Sequence, residues 1–581
     1  MEKKKRLLVY VHFNAYNELS EHVIYQLREL TPLFDRVVFL SNSSVSADKI
    51  EELKKQHLIT DFVQRRNSGF DFAAWRDGLQ LVGRKEVTTY DSVTLMNDTC
   101  YGPLFDMAPH YARFEQEEVD FWGITNHRAY KESETHVFDE HIQSYFKVFS
   151  QKVVQSAVFE EFWEGIQAFE NVQDVIDNYE IQSTTAFLKA GFHYQTILDT
   201  TPLDASKLLH PDFSYFAPDV ILREKVPFIK VKALQNVYGG NFTAYILDYI
   251  DKKTAYPVAF IIDHLTQTGY PDAAYLQGYK LLKPKALEET QNLRVAIHLH
   301  VHYPDLLEDF LAYFETFAFD YSLFLTTNSP EKVKEIEALL EKNHCQAEIL
   351  QTENVGRDIL PLIALKEKLQ EFDIIGHFHT KRSLEASFFA GESWRTELME
   401  MLLAPANEII ANFEANEKLG IVIADIPTLF KYNSLINSDD EYRRLSPIMN
   451  YAWDHMGMKK NINFSFINVF TASYGTFFWA RKDAVRQLFD YAFDEIEKED
   501  MKEPLKRFTI LHVLERLLVY ISWGNGYDYR ISKNKRELPS FVDFQTLNFR
   551  REIHARLLPH IVWDKISIIV KNKLHLRKEN D

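Results

Sequence analysis

Two short stretches carry residues in an order suited to chemistry on phosphates. Asn67-Ser68-Gly69-Phe70-Asp71 sets a glycine turn at the head of a helical pattern, and Asn97-Asp98-Thr99 ends an apolar run in an acid. A tight turn that opens a helix aims backbone N–H groups at an anion, and a carboxylate at the carboxyl end of a strand lies where open α/β sheets meet their ligands. The expected ligand is a nucleotide-type diphosphate. The same residues also fit an ordinary βαβ turn whose helix is packed by Phe70, Phe72 and Trp75.

A second set of stretches repeats this order with different chemistry. Asn354-Val355-Gly356-Arg357-Asp358 repeats the turn, and the strand pattern that follows presents His377, His379, Lys381 and Arg382 instead of an acid. Lys381 or Arg382 could hold a diphosphate without a metal, and His379 could move a proton. A solvated strand end with two surface cations is the alternative, and two imidazoles without a carboxylate make a weak metal signal. Candidate bases are Asp139, Glu140 and His141 in the first half, with Asp425 a weaker one in the second.

These groups need a scaffold, and the apolar pattern supplies one. Leu7–Phe13 reads as a buried parallel strand, residues 17–30 as a helix, residues 35–43 as a strand ending in a polar loop that includes Asn42, residues 48–57 as a helix and residues 61–64 as a short strand. That order predicts a doubly wound parallel sheet. Arg294–Tyr303 then echoes the first strand, and Tyr321–Ser329 echoes the second with its Asn-Ser tip. Several elements recurring in one order predict an internal duplication of an α/β domain. The expected divisions are residues 1–200, a connecting module at 201–288, a second α/β domain at 289–548 and a basic amphipathic helical segment at 549–581. That last segment fits a surface-lying membrane anchor or a plain packing helix.

At 581 residues the chain exceeds one core, and 46% hydrophobic with 26% charged residues reads as folded throughout. A net charge of −18 argues against general nucleic-acid binding. Cys100 and Cys345 are the only cysteines, so no disulfide framework is expected and a reducing, cytoplasmic setting is. The first apolar run is too short for a signal or spanning segment, so any membrane contact is expected to be peripheral.

The first stretch resembles the nucleotide-sugar segment of GT-A glycosyltransferases, through Asn67, Gly69, Ala73 or Ala74, Arg76 and Gly78-Leu79, with Asn97-Asp98 where that pattern carries two acids. The set Asn67–Phe72, Asn97–Pro103, His141–Phe146, Asn354–Asp358, His379–Ser383 and Phe478–Arg481 resembles the rhamnan synthesis protein F family. The resemblance implies two GT-A-like, Rossmann-like domains and an inverting rhamnosyltransferase of cell-wall polysaccharide synthesis. It implies dTDP-L-rhamnose as donor, a polyprenyl-diphosphate-linked rhamnan as acceptor, other rhamnan synthesis enzymes as partners and the inner face of the cell membrane as location. On that reading Asn42, Asn67, Gly69, Asp71, Asn97 and Asp98, with Asn354, Gly356, Arg357, Asp358, Lys381 and Arg382, bind donor, and Asp98 holds Mg or Mn. The catalytic candidates are Asp139, Glu140, His141 and His379. A non-catalytic scaffold or glycan-binding protein of the same machinery is the other reading.

Overall fold

The computed structural model describes residues 4–131, 137–235, 243–269, 271, 278–288, 291–380, 388–427, 439–467, 470–503 and 506–533. Lys381, Arg382 and the basic segment 549–581 lie outside the described residues. The chain divides into two compact units, Met1–Leu265 and Thr266–Asp581. Both are mixed α/β.

The sheet of the first unit is built from β1 (Arg6–His12), β2 (Arg36–Ser41), β3 (Asp61–Gln64), β4 (Ser92–Asn97), β5 (Phe121–His127), β6 (Phe146–Ser150) and β7 (Tyr194–Leu198). Their order across the sheet is β3-β2-β1-β4-β6-β5-β7. β6 alone runs antiparallel to its neighbours in that row. Alternation along a strand sends Leu8 and Tyr10 to one apolar layer and Leu7 and Val9 to the other. A strand buried on both faces is apolar at nearly every position, which explains the unbroken run in β1.

Helix Phe70–Val82 covers one face, with Phe72, Ala73, Trp75 and Leu79 buried against the sheet. The indole of Trp75 donates to the Met96 carbonyl at 3.0 Å, so the helix is tied to β4 one residue before Asn97. Beyond β7 the chain returns to this unit: Ile229–Lys230 pairs antiparallel with Cys100–Tyr101, just past the end of β4.

The second unit carries β8 (Val295–His300), β9 (Tyr321–Thr327), β10 (Glu348–Gln351), β11 (Ile374–His379), β12 (Leu419–Ala424), β13 (Phe478–Arg481) and β14 (Asp528–Ser532). Their order is β10-β9-β8-β11-β13-β12-β14, and β13 is the antiparallel member. The two sheets therefore share one strand order and one set of directions. Their central strands also begin alike: Asp91 accepts from the Lys5 backbone at 2.7 Å, and Asp373 from the Arg294 backbone at 2.9 Å. Counting from those caps, Val9, Val11, Leu95 and Asn97 in the first unit correspond to His298, His300, His377 and His379 in the second.

Candidate functional site

At the carboxyl end of the first sheet, β4 delivers Asn97 and Asp98 beside the turn that starts helix Phe70–Val82. Gly69 has φ +67°, and a Cβ there would stand 2.7 Å from the Ala168 backbone and 2.5 Å from Ala73 Cβ, so the turn admits only glycine. Asn97 donates to Asp71 at 2.6 Å, and Asp98 accepts from the Phe13 backbone at 2.9 Å. Burial raises both carboxyls, Asp98 to about 7, and the Asp71 carboxylate adds to the shift of Asp98. His12, with Nε2 3.9 Å from Asp98, is held by its own burial at about 4 and so stays neutral.

Asn42 supports this corner from within. It donates to the Phe70 carbonyl at 3.3 Å and accepts from Arg65, whose other side binds Asp77 at 2.6 Å. Arg76 grips Asp77 and the Ile166 carbonyl. These residues fix the turn. Asn67 is half-buried and makes no side-chain hydrogen bond among the described residues.

A second, charged cluster borders the first. His141–Ile142 pairs antiparallel with Asn126–His127 at the end of β5. His141 Nδ1 lies 2.7 Å from the Asp139 carbonyl, which can only accept, so Nδ1 carries the proton and Nε2 is left as an acceptor. Glu180 takes hydrogen bonds from the Ser144 backbone at 3.0 Å and hydroxyl at 2.8 Å. It stands in a five-residue π-turn, Ile176–Glu180, between two α-helical stretches. Lys230 reaches Asp212 at 3.2 Å, and Gln143 donates to the other Asp212 oxygen at 2.8 Å.

The electrostatics tie the two clusters together. Glu180 opposes ionisation of Asp71, while His141 and Lys230 lower Glu180 itself. Although burial works against it, Lys230 and the Ser214 hydrogen bonds hold Asp212 well below the carboxylate range. Lys147, buried with its ammonium on Ser183, is pushed down to about 8. Acids and bases from Asp98 to Asp212 thus act on one another in series.

Of the three base candidates, His141 belongs to that series. Asp139 is exposed and contributes its carbonyl; Glu140 is bound to the Tyr194 hydroxyl. Glu180, Asp212, Lys230 and Lys147 escaped the sequence reading because they come from separate elements with no shared spacing. The available signal was Lys147 itself, a cation at a core position in Phe146-Lys147-Val148-Phe149.

In the second unit Gly356 (φ +77°) and Asp358 occupy the positions of Gly69 and Asp71. Asp358 Oδ2 lies 3.3 Å from His377 Nε2. His379 Nε2 bonds the Gly475 carbonyl at 2.6 Å, and Thr380 accepts from the Tyr303 backbone as Asp98 does from Phe13. Asn354 and Arg357 are exposed, and Arg357 bonds His512 and the Lys506 carbonyl. Asp425 is buried and accepts from the Ile426 backbone.

For a divalent cation, the first unit offers Asp98 with Asp71 beside it, and no cluster of three or more His, Cys, Asp or Glu occurs among the described residues. That donor set fits a magnesium-type ion, which takes one or two carboxylates and completes its shell with water and substrate phosphate. No helix among the described residues is long and apolar enough to cross a membrane.

Among known proteins, the chain is 26% identical over 296 residues to the uncharacterised protein y4gN of Sinorhizobium fredii, which covers 50% of this chain and 64% of the relative. It is 26% identical over 290 residues to the uncharacterised protein WxcX of Xanthomonas campestris pv. campestris, covering 49% and 40%. The matches thus span roughly half of the curated relatives' length. The solved glycosyltransferase GlyE of Streptococcus pneumoniae aligns with 66% of this chain and 87% of its own at 12% identity and a TM-score of 0.25, too low to carry an argument. The family model described as rhamnan synthesis protein F matches residues 37–527. With nearly its whole length matched in this way, the chain belongs to the rhamnan synthesis protein F family.

Proposed function

We propose that this chain is an inverting rhamnosyltransferase that moves L-rhamnose from dTDP-L-rhamnose to a polyprenyl-diphosphate-linked rhamnan. The observation that carries the reading is the paired arrangement in the first unit: half-buried Asp98 at a strand end and half-buried Asp71 in the first turn of a glycine-opened helix, bordered by a neutral histidine with a bare ring nitrogen. The family name supports rhamnan as the product class. The shared strand order of the two units supports descent by duplication of one GT-A-like domain.

In this mechanism the first turn of helix Phe70–Val82, opened by Gly69, would offer backbone donors to the diphosphate, and Asp98 with Asp71 would hold a magnesium or manganese ion that neutralises the departing phosphates. His141 accepts the proton of the attacking hydroxyl at Nε2 while Nδ1–H stays on the Asp139 carbonyl. Glu180 stabilises the imidazolium that results, as its effect on the pair indicates. Lys230 is neutralised by Asp212 at rest. The segment 549–581 would keep the enzyme at the cytoplasmic membrane face where a lipid-linked acceptor is found, near the other rhamnan synthesis enzymes.

The test is transfer from labelled dTDP-L-rhamnose to a lipid-linked rhamnan by the full chain, with calorimetry for dTDP. His141→Gln is expected to lower transfer about 10²–10⁴-fold with dTDP affinity retained. A chain that neither binds dTDP nor transfers rhamnose is a scaffold, and the proposal fails.

A further inference from the structure

The second unit buries a row of histidines where the first has hydrocarbon. Val9, Val11, Leu40 and Leu95 of the first sheet are replaced at the corresponding positions by His298, His300, Thr326 and His377. All four replacements are buried. Polar groups in such a layer cost stability unless hydrogen-bonded, and each of these four side chains makes at least one hydrogen bond.

The bonds form one chain. Asp358 Oδ2 lies 3.3 Å from His377 Nε2, His377 Nδ1 lies 2.9 Å from His298 Nδ1, His298 Nε2 lies 2.8 Å from Thr326 Oγ1, and Thr326 Oγ1 lies 2.9 Å from His300 Nδ1. An ionised carboxylate only accepts, so the direction is set from Asp358. With His377 donating from Nε2 to Asp358, its Nδ1 accepts from His298. His298 then accepts at Nε2 from the Thr326 hydroxyl, and Thr326 accepts from His300 Nδ1–H. His300 Nε2 is left bare, and it makes no hydrogen bond among the described residues. Burial keeps His298 far below the usual imidazole value and His300 at about 3, so both rings rest neutral. His300 ends β8 and pairs with His379 at the end of β11, on the edge of the sheet where parallel strands meet ligands.

We propose that this chain is a proton relay, in which His300 Nε2 takes the proton of a sugar hydroxyl bound at the carboxyl end of the second sheet and Asp358 receives a proton at the far end. The sugar class rests on the transferase reading above. In the step, the hydroxyl proton goes to His300 Nε2 and the His300 Nδ1 proton to Thr326. The Thr326 hydroxyl proton then goes to His298 Nε2, the His298 Nδ1 proton to His377 Nδ1, and the His377 Nε2 proton to the Asp358 carboxylate. The sugar oxygen, freed of its proton, bonds to the anomeric carbon of the donor, and the carbon–oxygen bond to diphosphate breaks with its electron pair on the diphosphate. His300 is the catalytic residue; Thr326, His298 and His377 act through it.

Neutron diffraction from the full chain at neutral pD reads the relay directly. Deuterons are expected on His300 Nδ1, Thr326 Oγ1, His298 Nδ1 and His377 Nε2; a deuteron on His300 Nε2 overturns the proposal. This result stands whichever sugar nucleotide the protein uses, so it separates failure of the relay from failure of the rhamnose assignment. In transfer assays, Thr326→Val keeps the shape and removes the hydroxyl, and the first sheet shows that an apolar residue is tolerated there. Thr326→Val is expected to lower the rate about 10²–10⁴-fold while Thr326→Ser stays near wild type. Equal rates for the two variants also overturn it.

Discussion

Replacing Asp98 with Asn should make the protein more stable and less active, and the gain in stability should depend on pH in a calculable way. Asp98 is raised from its ordinary 3.8 to about 7 by burial and by Asp71. A carboxyl whose folded value is raised adds no penalty below its unfolded value, and its penalty grows as pH climbs from there to the folded value. At about 1.4 kcal/mol per unit, the cost amounts to about 1.7 kcal/mol at pH 5 and about 4 kcal/mol at pH 8. Asn keeps an oxygen for the Phe13 backbone bond and carries no charge at either pH. Denaturant unfolding of wild type and Asp98→Asn at both pH values, followed by a probe in the first unit, measures the difference directly. Taking the difference between the two proteins cancels the titrating groups that do not interact with Asp98; the coupled Asp71 carboxyl remains in it. The gap should widen by about 2–3 kcal/mol from pH 5 to pH 8, while rhamnosyl transfer falls about 10²–10³-fold. A gap that stays constant with pH, or a wild type more stable than the variant at pH 8, would refute the reasoning.

Asp212→Asn removes the nearest charge partner of the partly buried Lys230 and should cost about 1.5–3 kcal/mol. Because Asp212 is depressed, its contribution is present above the unfolded value and lost only as pH falls through the folded one, so this loss should be flat between pH 5 and pH 8. Gly69→Ala and Gly356→Ala both force a left-handed residue, at about 1–3 kcal/mol. Thermal unfolding should show both losses, because the new Cβ at Gly69 meets the Ala168 backbone and that at Gly356 meets Cβ and Cγ of Leu360, neither of which can move aside freely. Deleting residues 549–581 should release the protein from anionic vesicles in sedimentation while dTDP binding by calorimetry persists, and full-length attachment should weaken with salt.

The central strands were legible because burial on both faces leaves a continuous apolar signature: Leu7–Phe13 was read where β1 spans Arg6–His12. The glycine turns were legible for a related reason, since Gly69 and Gly356 both adopt the positive φ that their position in the pattern suggested. Partners across the fold were not. His377 and His379 were read as two imidazoles lacking a carboxylate, yet Asp358, from the neighbouring turn, supplies one to His377. Lys230 lies in the stretch read as a connecting module; its pairing with Cys100–Tyr101 brings it to Asp212. Spacing reports what one element presents, and a site assembled from many separate elements has no spacing.

The π-turn at Ile176–Glu180 gives its helix one residue more than regular winding accommodates. On its amino side Val175 faces the core, and on its carboxyl side Ile181, Thr184 and Phe187 do. Each residue turns an α-helix by about 100°, so removing one would swing one side out of register with the other. Either Val175 or the Ile181–Phe187 face would leave the interior, and Glu180 would lose its place opposite Ser144. The extra residue is therefore fixed by demands on both sides of it, so insertions and deletions among related chains are expected in the surrounding loops and not between Val172 and Lys189.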